Sequence, residues 1–242
     1  MRLAVLQLAA RFDRLAESLG AARALATAGP ADLIVLPEAS LTGYVGFRDG
    51  APDFDLTRFA EPLEGPSFAA IAALARAADA FVAAPLIEDL GDGRVANAFV
   101  VVDRTGARVA HYRKRHPWMP ETWATAGDAP PPLFEVDGVR VTLAICFDVH
   151  FLDDEPDACA RLAEADLFLF PSAWVEEDDS REPMLAALAR RHQLAIANAN
   201  WARGDVGIPG QGASRIVSRQ GVTLAVAGAS ESRIDAGITP AR

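Results

Sequence analysis

Cysteine is scarce, with two in 242 residues, too few for a disulfide framework, so each thiol has to be explained on its own. Histidine is scarce as well, with four, and no His/Cys/Asp spacing of a zinc site occurs. No glycine-rich loop follows the first apolar segment, so the phosphate cradle of a nucleotide fold is missing. These absences lead us to expect neither metal nor cofactor. No apolar run approaches the ~20 residues needed to cross a bilayer. The opening M-R-L-A-V-L-Q-L is too short for the apolar region of a signal peptide before Gln7 interrupts it. The expectation is a cytoplasmic protein with no membrane partner. Positive charge is the minority, 23 Lys and Arg against 33 Asp and Glu, for a net charge of −10. That balance argues against nucleic acid or an anionic membrane as the main partner. No fixed-period repeat and no linker composition appears, so residues 1–242 are expected to form one domain.

What is present is an ordinary globular composition, 51% apolar and 23% charged. Apolar runs at 3–8, 32–36 and 81–87 read as buried strands, and helical spacing marks 12–27 and 67–80. Segments 95–103 and 107–112 read as a hairpin turning at Arg104-Thr105-Gly106. Strands at 133–136 and 139–145 are followed by a helix at 153–165 and a strand at 167–170. A helix at 183–194, a strand at 195–199, two strands within 212–227 and a last one near 232–235 complete the pattern. Long stretches without periodicity lie at 39–66 and 113–132; connections of that length are usually functional or disordered. Alternating strands and helices mean an α/β layered domain. About a dozen strands exceed the ~4–6 that one open sheet usually carries, so two packed sheets with helices outside fit better.

The stretch V-R-V-T-L-A-I-C-F-D-V-H-F (139–151) organises the chain. A buried strand delivers Cys146 to the strand's carboxyl end, where open α/β sheets bind ligands. Free cysteine is also a common buried packing residue, which is the reading for Cys159 in the helix that follows. Glu38 stands after L-I-V-L-P, and Lys114 stands after a strand in Y-R-K-R. Each alone fits a solvated turn. Together they supply a thiol nucleophile, a carboxylate to take its proton and a cation for a developing oxyanion, the three parts that acyl transfer needs.

L-P-E-A-S-L-T-G-Y around Glu38, Y-R-K-R-H around Lys114 and I-C-F-D-V-H-F around Cys146 resemble, in order, the three signatures of the nitrilase superfamily, the carbon–nitrogen hydrolases. P-S-A-W (171–174), A-N-A-N-W (197–201) and G-A-S-R-I-V (212–217) resemble further segments of that family, so the likeness covers essentially the whole chain. It implies a four-layer αββα sandwich of two mixed sheets with helices outside, assembled as a homodimer or higher homo-oligomer through the helices beside the nucleophile. It implies a small-molecule amide or carbamoyl substrate, with Cys146 as nucleophile, Glu38 as general base, Lys114 as oxyanion stabiliser and Glu121 as the accompanying second acid. Two acids beside one cation should raise at least one acid's pKa. Phe147, Ala173, Trp174, Trp118 and His150 are the expected substrate-side residues, with His150 read first as a satisfied turn residue and second as a substrate contact.

The chain departs from that pattern in places. Phe147 replaces the usual tyrosine, His150 stands where arginine is common, and His116 is followed by Pro117-Trp118 rather than leucine. Trp118 and Trp123 either shape the pocket or pack the loop. The acidic run at 176–179 reads as a solvated loop, with attraction of a cationic substrate such as an ω-amino amide as the minor reading. Ile145 and Phe147 argue against the tight nucleophile elbow that wants small neighbours. Nitrile hydrolysis is the lesser branch, since nitrilases are generally longer chains. An inactive scaffold fits poorly with retention of four buried polar groups.

Overall fold

The structure, a computed structural model, describes residues 1–176 and 178–240. Among them, β1 (Arg2–Gln7), β2 (Leu33–Val35) and β5 (Phe81–Gly91) run parallel and adjacent. β14 (Ser232–Gly237), β6 (Arg94–Val102) and β7 (Arg108–Arg113) extend this sheet by antiparallel pairing, giving the order β14-β1-β2-β5-β6-β7. The second sheet repeats the design. Parallel β9 (Val139–Leu143), β10 (Leu167–Ser172) and β11 (Ala195–Asn200) are flanked by antiparallel β8 (Leu133–Val136), β12 (Arg215–Val217) and β13 (Thr223–Val226).

Near-continuous apolar strands are what double-sided burial requires. In β1, Leu3 and Val5 join the cluster between the sheets, with Phe99, Leu143 and Leu169, whereas Ala4 and Leu6 join the cluster under the helices. That two-residue alternation assigns each side chain to one layer. On the first sheet lie α1 (Leu15–Ala26), whose Ser18, Ala22 and Ala26 form one buried stripe, and α2 (Pro66–Ala78), started by Pro66 at its first turn. On the second lie α3 (Pro156–Glu164), burying Ala158 and Leu162, and α4 (Arg181–His192), burying Leu185, Leu188 and Ala189. The result is the expected four-layer αββα sandwich.

Two expectations need correction. The stretch 39–66 is not structureless: β3 (Gly46–Arg48) pairs with β4 (Ala51–Asp53), and a 3₁₀ turn covers Thr57–Phe59. The strand expected to run to residue 145 ends at Leu143, and the chain turns into a 3₁₀ segment, Cys146–His150. The cause is Asp148, whose carboxylate accepts from the Ile145 N–H and pulls it away from ladder pairing. The two sheets are stitched at this end of the sandwich, where Ala202 N–H donates to Leu8 O (2.7 Å) and Ala10 N–H to Ala202 O (3.2 Å).

Candidate active site

The carboxyl ends of β2, β7, β9 and β10 lead into the same region. Beyond β2, Leu36 and Pro37 carry the chain to Glu38; beyond β7, the next residue is Lys114. Both are about 1% exposed, and Glu121 is 2% exposed. Three charges with almost no water must satisfy one another. Lys114 Nζ donates to Glu38 Oε1 (2.7 Å) and to Glu121 Oε2 (2.6 Å). Burial works against this ammonium, but the charges of Glu38 and then Glu121 outweigh it and hold its pKa well above the ordinary lysine range. Glu121 is shifted upward, chiefly by burial, with Lys114 opposing and the Glu38 charge assisting. The expected rise in one acid's pKa thus falls on Glu121.

Glu121 reaches Glu38 through a residue the motifs did not expose. Asn97 Nδ2 donates to Glu38 Oε1 (2.8 Å) and to Glu121 Oε1 (2.6 Å), bridging the two carboxylates. The signal was an amide inside the otherwise apolar run V-A-N-A-F-V-V-V, because a buried polar group in a central strand needs partners. Asn97→Ala should leave carboxylate oxygens short of a buried donor, costing about 1–3 kcal/mol and lowering kcat by roughly 10–100-fold, the scale on which a residue that only orients the reacting side chains acts. Chemical denaturation and steady-state kinetics check both numbers; unchanged kcat would remove Asn97 from the site.

Cys146 begins the 3₁₀ segment with φ of 45°, a left-handed conformation rare for a residue with a side chain. Ala39, next to Glu38, has φ of 48°. Strained backbone thus occurs at both strand ends, a pattern common where function requires a fixed side chain. The strand does not pass directly into a helix at Cys146: β9 ends at Leu143, the 3₁₀ segment follows and α3 starts at Pro156, with Ile145 fully buried in the core and Phe147 lining the cavity. Both cysteines are free thiols. Burial raises the pKa of the Cys146 thiol well above its ordinary value. Glu38 adds to the rise, and Lys114 and a hydrogen bond from the Ala173 N–H oppose it. That N–H also donates to Glu38 Oε2 (2.9 Å), placing Ala173 between acid and sulfur.

The 3₁₀ segment is fixed from below. Asp148 accepts from Tyr112 OH (2.9 Å), Ile145 N–H (3.0 Å) and His116 N–H (2.8 Å), with His116 Nδ1 3.0 Å away. His116 Nε2 lies 3.1 Å from Glu155, and its ring stacks on Phe151 at 4.0 Å. The Lys114 loop and the Cys146 turn are therefore joined through one imidazole. The hydrogen bond to Asp148 raises the His116 pKa against the effect of burial, with the Asp148 and Glu155 charges assisting and Arg115 opposing. A raised histidine pKa gives stability that is complete below about 6.5, the unfolded value, and is lost as pH rises through the folded value. Thermal midpoints should fall across that window in the wild type and fall less in His116→Gln; parallel curves would refute the link.

A cavity of about 120 Å³ opens against Cys146 and is lined by Phe147, His150, Ala173, Trp174 and Trp118, the five residues expected on the substrate side. Val175 and Glu176 line it too. Trp123 does not; it packs in the loop cluster around Tyr44 and Trp201. Trp174 is held by its N–H to Asn200 Oδ1 (3.0 Å) and by Trp201 Nε1 donating to its carbonyl (2.9 Å). Asn200 Nδ2 in turn donates to the carbonyls of Gly210 and Gly212 (2.8 Å each). A-N-A-N-W is thus the scaffold behind the cavity wall. Trp118 is positioned by its N–H to Glu121 Oε2 (2.6 Å). The buried phenol of Tyr44 has its pKa raised by burial and then by the charges of Glu121, Glu38 and Cys146, so it too borders the cluster. Lys114 also needs Gly127, whose N–H donates to Lys114 O (2.8 Å) and whose Cβ, if present, would lie 2.3 Å from Arg113 O.

Of the acidic run, Glu176 lies at the cavity, and Asp179 pairs with Arg181 and Arg215. Glu177 lies outside the described residues. Among the described residues, no helix is long and apolar enough to cross a membrane and no acidic, histidine or cysteine group is arranged to hold a metal ion.

Solved structures share this architecture. An amidase of the nitrilase superfamily from Nesterenkonia sp. AN1 covers all of the chain, and 91% of its own, with a TM-score of 0.85 at 22% identity. A CN-hydrolase superfamily protein from Xanthomonas campestris covers 99%, and 90% of its own, with a TM-score of 0.80 at 23% identity. Those likenesses fix the fold class as the nitrilase-type αββα sandwich. The profile described as carbon-nitrogen hydrolase matches residues 2–242, and the chain belongs to that family. Among curated relatives, an (R)-stereoselective amidase from a Pseudomonas species is 32% identical over 96% of this chain and 83% of its own length. A deaminated glutathione amidase from Escherichia coli O157:H7 is 30% identical over 96% and 87%. A hydrolase encoded in the pqqF 5′ region of Pseudomonas protegens is 34% identical over 84% and 70%. The protein is a hydrolase of non-peptide carbon–nitrogen bonds, of the amidase type.

Proposed function

We propose that the chain hydrolyses a small linear carboxamide or N-carbamoyl compound through a thioester on Cys146, releasing ammonia or an amine. The observation that carries this reading is the buried Glu38–Lys114–Glu121 cluster beside a strand-end thiol. With its pKa raised, Cys146 rests as the neutral thiol, so attack requires a base at hand. Glu38 takes the Sγ–H proton as sulfur bonds to the carbonyl carbon. The carbonyl electron pair moves onto oxygen, where Lys114 and a backbone N–H, assigned to Phe147, face it. Collapse breaks the C–N bond, and Glu38 returns its proton to the leaving nitrogen. A water, deprotonated by Glu38, then attacks the thioester and expels the thiolate, which regains the proton. Glu121 and Asn97 act by holding Lys114 and Glu38, not by touching substrate. The same reading carries a cytoplasmic homodimer joined through α3 and α4.

Ammonia release over a panel of short carboxamides, N-carbamoyl compounds and matching nitriles tests the reaction, with hydroxylamine as a competing nucleophile. The thioester route diverts product to hydroxamate at the expense of acid. Turnover of nitriles without amides, or amide turnover that hydroxylamine never diverts, would contradict it.

A further inference from the structure

The cavity beside Cys146 holds about 120 Å³, room for roughly four water-sized groups. Its walls include Trp118, Phe147, Trp174 and Val175, and the ionisable side chains that reach it, besides the cysteine, are His150 and Glu176. No lysine or arginine lines it among the described residues. The cations near it are already committed. Lys114 is held by two carboxylates. Arg181 is held by Asp179, Asn198 and the carbonyls of Gly210 and Gly212, and Arg215 by Asp179. The His150 ring is engaged as wall, 5.8 Å from Trp174 and 5.2 Å from Phe147. Glu176 is different: it is exposed, accepts a hydrogen bond from the Ser180 hydroxyl, and has no cation within salt-bridge distance among the described residues.

The geometry points to an acyl pocket that selects amides bearing a positively charged amino group about four heavy atoms beyond the carbonyl carbon, with Glu176 as the specificity-determining residue. The inference rests on the amidase reading above. A methylene chain of that length buries against the aromatic walls. Its ammonium end meets the electron-rich ring faces and the unpaired carboxylate together. A terminal carboxylate would instead meet Glu176 with no cation to offset the repulsion, and such a mismatch is how sites reject a competitor. The net charge of −10 also favours approach by cations.

Three near-isosteric amides separate the possibilities: 4-aminobutanamide, pentanamide and succinamate, assayed near neutral pH by ammonia release. The wild type should show kcat/KM for 4-aminobutanamide about tenfold above pentanamide, the combined scale of an exposed ion pair and a cation–π contact, with succinamate lowest. In Glu176→Gln the ratio of the first two should collapse toward one, and Glu176→Lys should move succinamate above 4-aminobutanamide. A ratio unchanged in Glu176→Gln, or a wild type that prefers succinamate, overturns the inference. Equal turnover of pentanamide and 4-aminobutanamide refutes the charge selection and leaves the amidase reading standing. Turnover of none of the three, with ammonia still released from another short carboxamide or an N-carbamoyl compound, refutes the inference alone; no ammonia from any member of that panel refutes both.

Discussion

Replacing Cys146 by alanine removes amide hydrolysis by roughly 10⁴–10⁶-fold, the range seen when a covalent nucleophile is deleted, and leaves the chain folded. The two halves of that expectation have separate causes. In the proposed route sulfur supplies the bond that divides hydrolysis into two easier steps, and the neighbouring acids are already engaged: Glu38 accepts Lys114, Asn97 and Ala173 donors, and Glu121 accepts Lys114, Asn97 and Trp118 donors. Stability is held elsewhere. The 3₁₀ turn is fixed by Asp148 and its partners, not by the thiol. Removing one half-buried sulfur whose ionised form is strongly disfavoured takes away little packing. Circular dichroism and the denaturation midpoint should match the wild type while ammonia release is lost. Retained turnover in this variant would end the covalent mechanism.

Lys114→Met gives the largest expected loss of stability, about 3–5 kcal/mol, because breaking a buried ion pair leaves uncompensated charge behind. Two carboxylates bridged by Asn97 would then share a dry site with no cation. Activity should fall as well, by roughly 10²–10³-fold, as for loss of one oxyanion donor. The pH dependence has a definite sign. Glu121 already has a raised pKa in the folded protein, so folding favours its protonated form, and that contribution is present below the ordinary carboxylate pKa of about 4.3 and lost as pH rises through the folded value. Without Lys114 the rise increases, and the stability deficit should shrink as the medium is acidified. A second substitution, Glu121→Gln, should return part of the lost stability at neutral pH, since it removes one of the stranded charges. Additive losses in the double variant would contradict the proposed coupling.

Much of this site could be read from the chain because strand-end residues in apolar surroundings are conspicuous. Glu38 after L-I-V-L-P, Lys114 after β7 and Cys146 after β9 stand out as polar strand ends, but each alone reads as a turn or packing residue; it is the resemblance of the three signatures, in order, to the nitrilase superfamily that singles them out. The two-sheet architecture was legible from the strand count: about a dozen strands exceed what one open sheet usually carries, and among the described residues the structure divides them into two six-stranded sheets and a small ribbon. Other features depend on contacts distant in sequence. Asn97 bridges residues 59 positions before it and 24 after it, a geometry that no local pattern encodes. Asp148 reads locally as a turn acid, yet it collects donors from Tyr112 and His116 more than thirty residues upstream. The β3–β4 hairpin was hidden by Pro52 and Gly50, which read as loop punctuation and here sit in a short exposed ribbon. Glu176 was visible only as one member of an acidic run, and its place at the cavity follows from where β10 ends.

The claim on which the mechanism depends is that the substrate's acyl group passes through the sulfur of Cys146. Rapid-quench intact-mass analysis during turnover of a short amide, followed by peptide mapping, measures this directly. The account predicts a protein adduct with the mass of the acyl group, located on the peptide containing Cys146 and decaying as ammonia and acid accumulate. Steady ammonia release with no adduct at any quench time, or an adduct on Cys159 instead, would contradict it.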